Sequence, residues 1–338
     1  MRPRILKIDP NDIDLTLIRE AALALRGGEL VAFPTETVYG LGANALDPKA
    51  VSRIFEAKKR PLDDPLIVHI AREKDIFELT KDIPLEAKKL AKKFWPGPLT
   101  IVLKKKDNIP DIVTTGLDTV AIRMPSNPIA VKLIELAGVP VAAPSANLFG
   151  RPSPTTAQHV SDDLDGAVDI LIDGGRTEIG VESTVIEIVN GEAFILRPGG
   201  ISVEELSSVI GVKICTEEEI LQRSPGKYSR HYSPDAKVVV VQNDEKQVEN
   251  VLSSSRACTR DWKRAGIMAK KEHARFYKDL SVKVMGPGND LNSCAAELFH
   301  ILREFDKEKV DVIIAEAVDE KGIGLAIMNR LRKASSGS

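Results

Sequence analysis

The sequence predicts an α/β protein with two sheets. A larger α/β or α+β domain with a mixed sheet precedes a smaller domain with a Rossmann-like, mostly parallel sheet. In the first part of the chain, apolar runs typical of buried strands interleave with segments of helical periodicity. After about residue 236 this alternation becomes regular, which is typical of a parallel sheet with flanking helices. A chain of 338 residues is also longer than one ordinary hydrophobic core accommodates, which indicates two domains.

The first domain is expected to span residues 1–210. It begins with an amphipathic helix over 12–26, which Gly27 and Gly28 end. Further helices are predicted over 48–59, 84–94 and 127–137. The predicted strands cover 30–33, 66–70, 99–103, 120–123, 139–143, 168–172, 183–189 and 193–196.

An ordered linker is expected over residues 211–235. It holds an acidic helix-like piece over 217–221 and a segment bracketed by prolines over 224–234. The second domain is then expected over 236–335. Its strands are predicted over 238–241, 265–269, 282–285 and 312–315, and its helices over 245–255, 292–305 and 324–334.

Composition excludes several classes of protein. The net charge of -2 argues against a general polyanion binder. The three cysteines lie far apart without a CxxC pair, so neither a disulfide framework nor a zinc site is expected. The amino terminus lacks an apolar signal core, and no window approaches the roughly 20 apolar residues of a membrane span. A cytoplasmic protein without a membrane partner is expected.

The stretch Pro34–Gly42 is the most informative motif. It follows the apolar run over 30–33, and a polar loop at the end of a buried strand is a usual place for a ligand. Thr35 and Thr37 offer hydroxyl groups, and Gly40 and Gly42 permit a close approach of backbone to ligand. The alternative is a plain turn between a strand and a helix.

Cationic side chains occur at other predicted element ends. Lys58 and Arg60 stand where a helix ends, so they either complement the helix dipole or bind an anionic ligand. Arg123 ends a strand, where it either forms a surface ion pair or captures a small carboxylate. His69, inside an apolar strand, is either a satisfied core histidine or a ligand contact.

Further polar clusters lie at predicted strand ends: 144–147 and 197–200 follow strands, and 183–184 opens one. Together, the clusters suggest a polyanionic substrate with a small polar partner. A Ser-His-Asp order, an HExxH motif and a P-loop are all absent from the sequence.

Two other functions compete with this interpretation. Residues 40–45 match the dinucleotide fingerprint GxGxxA, but Thr35–Tyr39 intervene between the strand and the first glycine, which argues against an NAD site. A non-catalytic RNA-binding module would explain the cations but not the hydroxyl-rich loops, and the net charge disfavours it.

The chain also contains a series of motifs in a fixed order: Pro34–Gly42, Lys58-x-Arg60-Pro61, Pro65-Leu66, Trp95–Thr100, Arg123-x-Pro125, Ala143–Asn147, Ser183–Val185 and Arg197–Gly199. In these motifs the chain resembles the YrdC-type L-threonylcarbamoyladenylate synthases, in their two-domain long form. The resemblance implies that the first domain is a twisted mixed sheet with a catalytic cleft. Arg230–Pro234 and Gly322–Leu331 resemble the linker end and the carboxy-terminal signature of the long form.

The resemblance implies a nucleotidyltransferase that condenses L-threonine, bicarbonate and ATP into threonylcarbamoyl-adenylate and pyrophosphate, for N6-threonylcarbamoyladenosine modification of tRNA. The catalytic KxR and SxN residues would be Lys58, Arg60, Ser145 and Asn147. L-Threonine would contact Thr37, His69, Arg123, Ala143 and Ser183. ATP would contact Arg60, Asp64, Thr119, Ser145, Ser153, Arg197 and Tyr232.

Two of the implied nucleotide contacts need more than a match to a family motif. Asp64 stands where relatives often have asparagine, and a carboxylate near phosphates needs a cation between them. Tyr232 is preferred to Tyr228 because it keeps the family spacing after Arg230. The segment 224–234 would then form a lid over the nucleotide.

Mg2+ carried with ATP is expected, with no protein metal site and no organic cofactor. The product would pass to the machinery that transfers it to tRNA, and a contact with tRNA itself is a further expected partner.

Overall fold

The computed structural model describes residues 2–215, 232–261, 264–277 and 280–336. By its contacts the chain divides into two compact units. The first comprises Met1–Phe149, Pro154–Glu178 and Glu182–Lys227, and the second comprises Gly150–Ser153, Ile179–Val181 and Tyr228–Ser338. The helix-like piece expected over 217–221 and most of the expected lid lie outside the described residues. The domain bounds and the lid therefore stay predictions.

The first unit is built on one large mixed sheet. Its strands are β1 (Arg4–Lys7), β2 (Val31–Phe33), β3 (Gly40–Asn44), β4 (Ile67–His69), β5 (Leu99–Lys104), β6 (Thr119–Arg123), β7 (Val141–Ala142), β8 (Ile170–Asp173), β9 (Thr184–Val189), β10 (Glu192–Arg197) and β11 (Val212–Ile214). Their order is β1-β8-β2-β3-β7-β4-β6-β5-β9-β10-β11. Parallel pairs such as β4–β6 alternate with antiparallel pairs such as β5–β6, so the predicted mixed sheet is confirmed.

Helices pack on this sheet through their apolar faces. They are α1 (Leu15–Arg26), α2 (Pro48–Lys58), α3 (Ile76–Leu79), α4 (Leu85–Phe94), α5 (Asp111–Thr114), α6 (Pro128–Ala137), α7 (Ala157–Leu164) and α8 (Val203–Ser207). The end of α2 matters for the site. Asp47 caps its first turn, and Lys59 ends it in the left-handed conformation, with φ 52°.

The glycine pair of the Pro34–Gly42 motif lies in a strand, not in a loop as expected. Gly40–Asn44 pairs antiparallel with β2 and, through Ala43 and Asn44, with β7. Close packing requires a glycine at position 42, because a Cβ there would lie 2.7 Å from the Phe33 ring and 2.9 Å from Val141. The ligand-binding part of the motif is therefore restricted to the loop before Gly40.

Other differences from the predicted elements are smaller. The strand expected over 139–143 is only Val141–Ala142. Pattern reasoning missed β1, α7, α8 and β11, because each is short or largely polar. The strand β11 pairs parallel with β10, so residues 212–214 extend the first sheet.

The second unit contains a parallel sheet, as predicted. Its strands are β12 (Lys237–Val241), β13 (Ala265–Lys270), β14 (Ser281–Gly286) and β15 (Val312–Glu316), in the order β12-β15-β13-β14. The accompanying helices are α9 (Gln247–Asp261), α10 (Leu291–Glu308) and α11 (Gly324–Ser336). Ile267 and Ile314 lie at the centre of this core.

The helices of the described chain do not include one that combines the length and apolarity needed to cross a bilayer.

Candidate active site

Strand ends of the first sheet bring several predicted site residues into one row. His69 at the end of β4 is the register partner of Arg123 at the end of β6. On its other side, Arg123 faces Thr100 of β5. Three neighbouring strands thus place an imidazole, a guanidinium and a hydroxyl side by side.

Arg123 is engaged by the loop of the first motif. Its Nη2 donates to Glu36 Oε1 and to Thr37 Oγ1, both at 2.8 Å. Oε2 of Glu36 accepts from the backbone N–H of Ser126 at 3.2 Å. The side chains of this ion pair are only 5% and 4% exposed. Arg123 is therefore a buried cation, not the surface ion pair considered from the sequence.

Thr35 shapes the loop that carries Glu36 and Thr37. Its Oγ1 donates to the carbonyl of Val38 at 2.6 Å and lies 2.8 Å from Thr37 Oγ1. It also accepts from the backbone N–H groups of Thr37 and Val38. The loop is a hydrogen-bonded turn that presents its second and third residues to Arg123.

His69 is buried, yet its Nδ1 has no hydrogen-bond partner among the described residues. Burial, and then the charge of Arg123, lower the pKa of His69 to about 3. The ring is therefore neutral at physiological pH. An orphaned polar atom of this kind does not fit a satisfied core histidine.

Ser183 continues the row toward β9 and β10. Its Oγ lies 2.8 Å from Thr100 Oγ1 and accepts from Arg197 Nη2 at 3.1 Å. Arg197 also donates to the Ser183 carbonyl. Gly199 permits this packing, because a Cβ there would lie 2.3 Å from the Ser183 carbonyl carbon.

The predicted catalytic residues Lys58, Ser145 and Asn147 lie together. Lys58 Nζ donates to the carbonyl oxygens of Ser145 and Asn147 at 2.5 and 2.6 Å. The chain at Ser145 also bridges to Gly40, at the start of β3. The lysine thus ties the end of α2 to the loop after β7.

Arg60 turns back on the residues that follow it. Its Nη2 lies 2.8 Å from Asp64 Oδ2, and the guanidinium also donates to the carbonyls of Asp64 and Pro65. Asp64 is fully buried. The carboxylate that seemed out of place near phosphates therefore has a cation beside it.

Ala143 and Thr119 complete the predicted set in this unit. Ala143 is buried and donates its N–H to the Ile67 carbonyl, which places it beside β4. Thr119 stands at the opposite end of β6 from Arg123. The two residues are four positions apart on the same face of the strand, a distance of about 13 Å. Residues assigned to threonine and to ATP are thus separated along one strand.

Two predicted nucleotide contacts group with the second unit. Ser153 is fully buried in the segment Gly150–Ser153. Tyr232 stacks on Phe299, with ring centroids 5.3 Å apart, and the Arg330 guanidinium lies 5.2 Å from its ring. Their contact with ATP stays a prediction.

Sequence reasoning assigned no role to Glu36 or Thr100. Glu36 stands between two threonines that were singled out, and an acidic residue inside a hydroxyl-rich motif was the available signal. Thr100 ends the matching motif Trp95–Thr100, but only the strand register places it beside Arg123.

A search of the described residues for three or more grouped His, Cys, Asp or Glu side chains finds no cluster able to hold a metal ion.

Two protein families match consecutive parts of the chain. Residues 23–199 match the Sua5, YciO and YrdC family, described as "Telomere recombination". Residues 201–336 match the family described as "Threonylcarbamoyl-AMP synthase, C-terminal domain". The chain belongs to the two-domain Sua5 family. The resemblance predicted from the motifs is thereby confirmed.

Individual Sua5-family relatives agree over nearly the whole chain. A protein of Pyrococcus abyssi named threonylcarbamoyl-AMP synthase is 50% identical, over 94% of this chain and 94% of its own length. One of Bacillus subtilis with the same name is 47% identical, over 95% and 93%. The crystal structure of P. abyssi Sua5 complexed with L-threonine matches with a TM-score of 0.90 and 46% identity, covering 98% of both chains.

Proposed function

We propose that this protein is a threonylcarbamoyl-AMP synthase, a nucleotidyltransferase that condenses L-threonine, bicarbonate and ATP to threonylcarbamoyl-adenylate and pyrophosphate. Relatives of that name match nearly the whole chain. The observation that carries the proposal is the row of strand ends in the first unit. It places a buried guanidinium, an orphaned imidazole nitrogen and two hydroxyls together.

The amino-acid half of the reaction fits this row. Arg123 supplies the positive charge for the carboxylate of threonine, and Thr37, His69 and Ser183 supply hydrogen-bonding groups around it. A neutral His69 accepts through Nδ1 without repelling a cationic amine. Ala143 contributes the apolar wall that a methyl group requires.

The chemical steps need orientation more than covalent help. The cationic amine of threonine first gives a proton to solvent, and the neutral amine then reacts with bicarbonate to give the carbamate and water. A carbamate oxygen then attacks the α-phosphorus of ATP, and the bond to the β-phosphate breaks to release pyrophosphate. Fixed orientation of the reacting groups, charge stabilisation and exclusion of water supply most of the rate acceleration.

The phosphates are assigned to the cationic side of the site. Arg60 and Arg197 are the guanidinium groups that would neutralise them, and Lys58 fixes the loop with Ser145 and Asn147. Asp64 acts through Arg60, whose guanidinium it orients. The prediction that Thr119, Ser153 and Tyr232 contact the nucleotide is retained.

Mg2+ is assigned to the nucleotide. The carboxylates of Glu36 and Asp64 are paired with arginines, so neither is presented as an open metal ligand. A magnesium ion that keeps its waters and binds phosphate oxygens suits such a site. The ion supplies further neutralisation of the leaving pyrophosphate.

The test measures pyrophosphate release from ATP. Release should require both threonine and bicarbonate. Serine should be a poorer substrate, because a missing methyl weakens discrimination by about 1–3 kcal/mol. Equal turnover without bicarbonate would contradict the proposed chemistry, since the carbamate could not form.

The product is proposed to serve threonylcarbamoyl transfer to tRNA in the cytoplasm. A direct tRNA contact is assigned to the exposed face of α4. Lys88, Lys89, Lys92 and Lys93 point to solvent there, without a hydrogen-bond partner among the described residues. Lysines of this kind bind phosphates without reading sequence.

A charge-reversal pair tests this face. Replacing these four lysines by glutamate should weaken tRNA binding and flatten its salt dependence. The matched control reverses four exposed lysines of the second unit: Lys237, Lys246, Lys271 and Lys309. An equal loss of tRNA affinity in both variants would show a non-specific charge effect. Unchanged affinity in both would contradict the proposed tRNA contact.

A further inference from the structure

Glu36 is a buried, fully engaged carboxylate of the first unit to which the family resemblance assigns no role. It is 3% exposed, and both of its carboxylate oxygens are used. Oε1 accepts from Arg123 Nη2 at 2.8 Å, and Oε2 accepts from the Ser126 backbone N–H. The carboxylate therefore joins the end of β6 to the residues that follow it.

The guanidinium of Arg123 is used on one side only. A guanidinium has five N–H groups in a fixed fork, two of them on Nη2. Glu36 and Thr37 take up Nη2. Within the described chain, no hydrogen bond runs to Nε, which is buried. The donors left for a ligand therefore lie on the other nitrogens, and their direction is set by how Nη2 is held.

We propose that Glu36 is a positioning residue, which holds Arg123 so that its remaining N–H groups face the carboxylate of the bound amino acid. The inference rests on the proposed function and deepens it. Glu36 acts through Arg123 and does not touch the substrate. Its length matters more than its charge, because the guanidinium is planar and a small rotation of its plane misdirects every donor.

A competing role for the same contact makes the opposite prediction. Glu36 could serve mainly as a counter-charge, competing with the substrate carboxylate for Arg123. Removing its charge would then tighten substrate binding, and shortening the side chain would leave binding nearly unchanged. The two roles are therefore separated by one variant that keeps the reach of Glu36 and another that keeps its charge.

The test compares Glu36→Gln with Glu36→Asp. Glutamine keeps the reach and one acceptor oxygen for Nη2. Aspartate keeps the charge but withdraws the carboxylate by one methylene, and a displacement of about 1 Å can cost up to roughly 100-fold. Calorimetric titration with L-threonine should show dissociation constants within about 3-fold of wild type for Gln and at least about 10-fold weaker for Asp.

Two further readouts separate positioning from a loss of folding. The KM for threonine should follow the dissociation constants, while the KM for ATP and the melting temperature of both variants should stay close to wild type. Glu29→Asp is a matched control, because it makes the same exchange at an exposed glutamate of the same unit. It should bind threonine as wild type does.

Several results would overturn the inference. Tighter threonine binding by Glu36→Gln would show the counter-charge role, and wild-type binding by Glu36→Asp would show that reach is unimportant. A parallel rise in the KM for ATP would show a general structural role. If the wild-type protein itself fails to bind threonine, the proposed function fails first, so the two failures are distinguishable.

Discussion

A buried charged cluster occurs at strand ends in each unit, and the two clusters are satisfied differently. In the first unit, Arg123 donates through Nη2 alone, and neither its Nε nor the Nδ1 of neighbouring His69 has a partner within the described chain. In the second unit, Glu316 ends β15 and is fully buried. Both of its oxygens are occupied by neighbours.

The Glu316 cluster is closed on itself. Oε1 accepts from the Tyr277 hydroxyl at 2.5 Å and lies 2.8 Å from His273 Nδ1. Oε2 accepts from the Lys270 backbone N–H at 2.6 Å. Burial, and then the Glu316 carboxylate, raise the pKa of Tyr277, so its hydroxyl remains a donor.

This difference in hydrogen-bond partners distinguishes a ligand-binding site from a cluster that only stabilises the fold. A buried polar atom without a partner costs free energy, so a site that carries such atoms has them for a ligand to satisfy. A buried carboxylate with a complete set of donors fixes the strands that supply them. We therefore assign binding to the first cluster and stability to the second.

The largest expected effect is on catalysis in the first unit. Lys58→Ala and Arg60→Ala should each lower turnover by roughly 100-fold or more, because they remove charge and fixed geometry around the phosphates. The control is Lys59→Gly, since Lys59 lies between them, is exposed and has a left-handed backbone that glycine adopts freely. Turnover and melting curves measure the effect. If a Lys58 or Arg60 variant is folded and turns over at a near-normal rate, the catalytic role is contradicted. The residue then only complements the dipole of the helix end.

The second effect is on stability in the second unit. Glu316→Gln should lower the free energy of unfolding by about 1–3 kcal/mol, because the amide cannot accept from all three neighbours. Threonine affinity should stay unchanged. Urea unfolding measures the loss, with Glu245→Gln as an exposed control of the same chemistry. A change in threonine affinity at constant stability would erase the distinction between the two clusters.

The smallest effect is the pH dependence that His69 contributes. Its pKa is about 3 in the folded protein, against 6.5 as the ordinary value. The unfolded chain therefore takes up the proton first as pH falls, and the folded state loses stability between pH 6.5 and pH 3. Between pH 7 and pH 5.5 the loss is about 1 kcal/mol.

Comparing the wild type with His69→Gln isolates this contribution. The variant should lose less stability over the same pH interval, as measured by urea unfolding at each pH. Identical pH dependence in both proteins would mean that His69 is protonated as easily in the folded state as in the unfolded one. Its Nδ1 would then not be an acceptor held for a ligand.

Much of this comparison was predictable from the sequence, but not the difference between the clusters. Apolar periodicity predicted the helices that end at Arg26, Lys58 and Ala137 and the regular alternation of the second unit. The strand β3 was missed because its two glycines are typical of a loop, whereas close packing against Phe33 requires a glycine at position 42.

The candidate site was predictable as a set of residues and not as a set of contacts. Arg123 stood out at a strand end, but Glu36 lies 87 positions away, and only the fold brings them together. Likewise, nothing in the run that contains Glu316 marks it as the acceptor for three neighbours, because those neighbours come from a different strand and the turn that follows it.

The most direct test of the central claim is detection of the product by mass spectrometry. The purified protein is given ATP, L-threonine and 13C-bicarbonate. The assignment of threonine to the first cluster and of the phosphates to Arg60 and Arg197 predicts a threonylcarbamoyl-adenylate that carries the labelled carbon, together with pyrophosphate. The same product should be strongly reduced with Arg60→Ala and unchanged with Glu245→Gln. An adenylate without the label, or none at all from a folded protein that binds threonine, would contradict it.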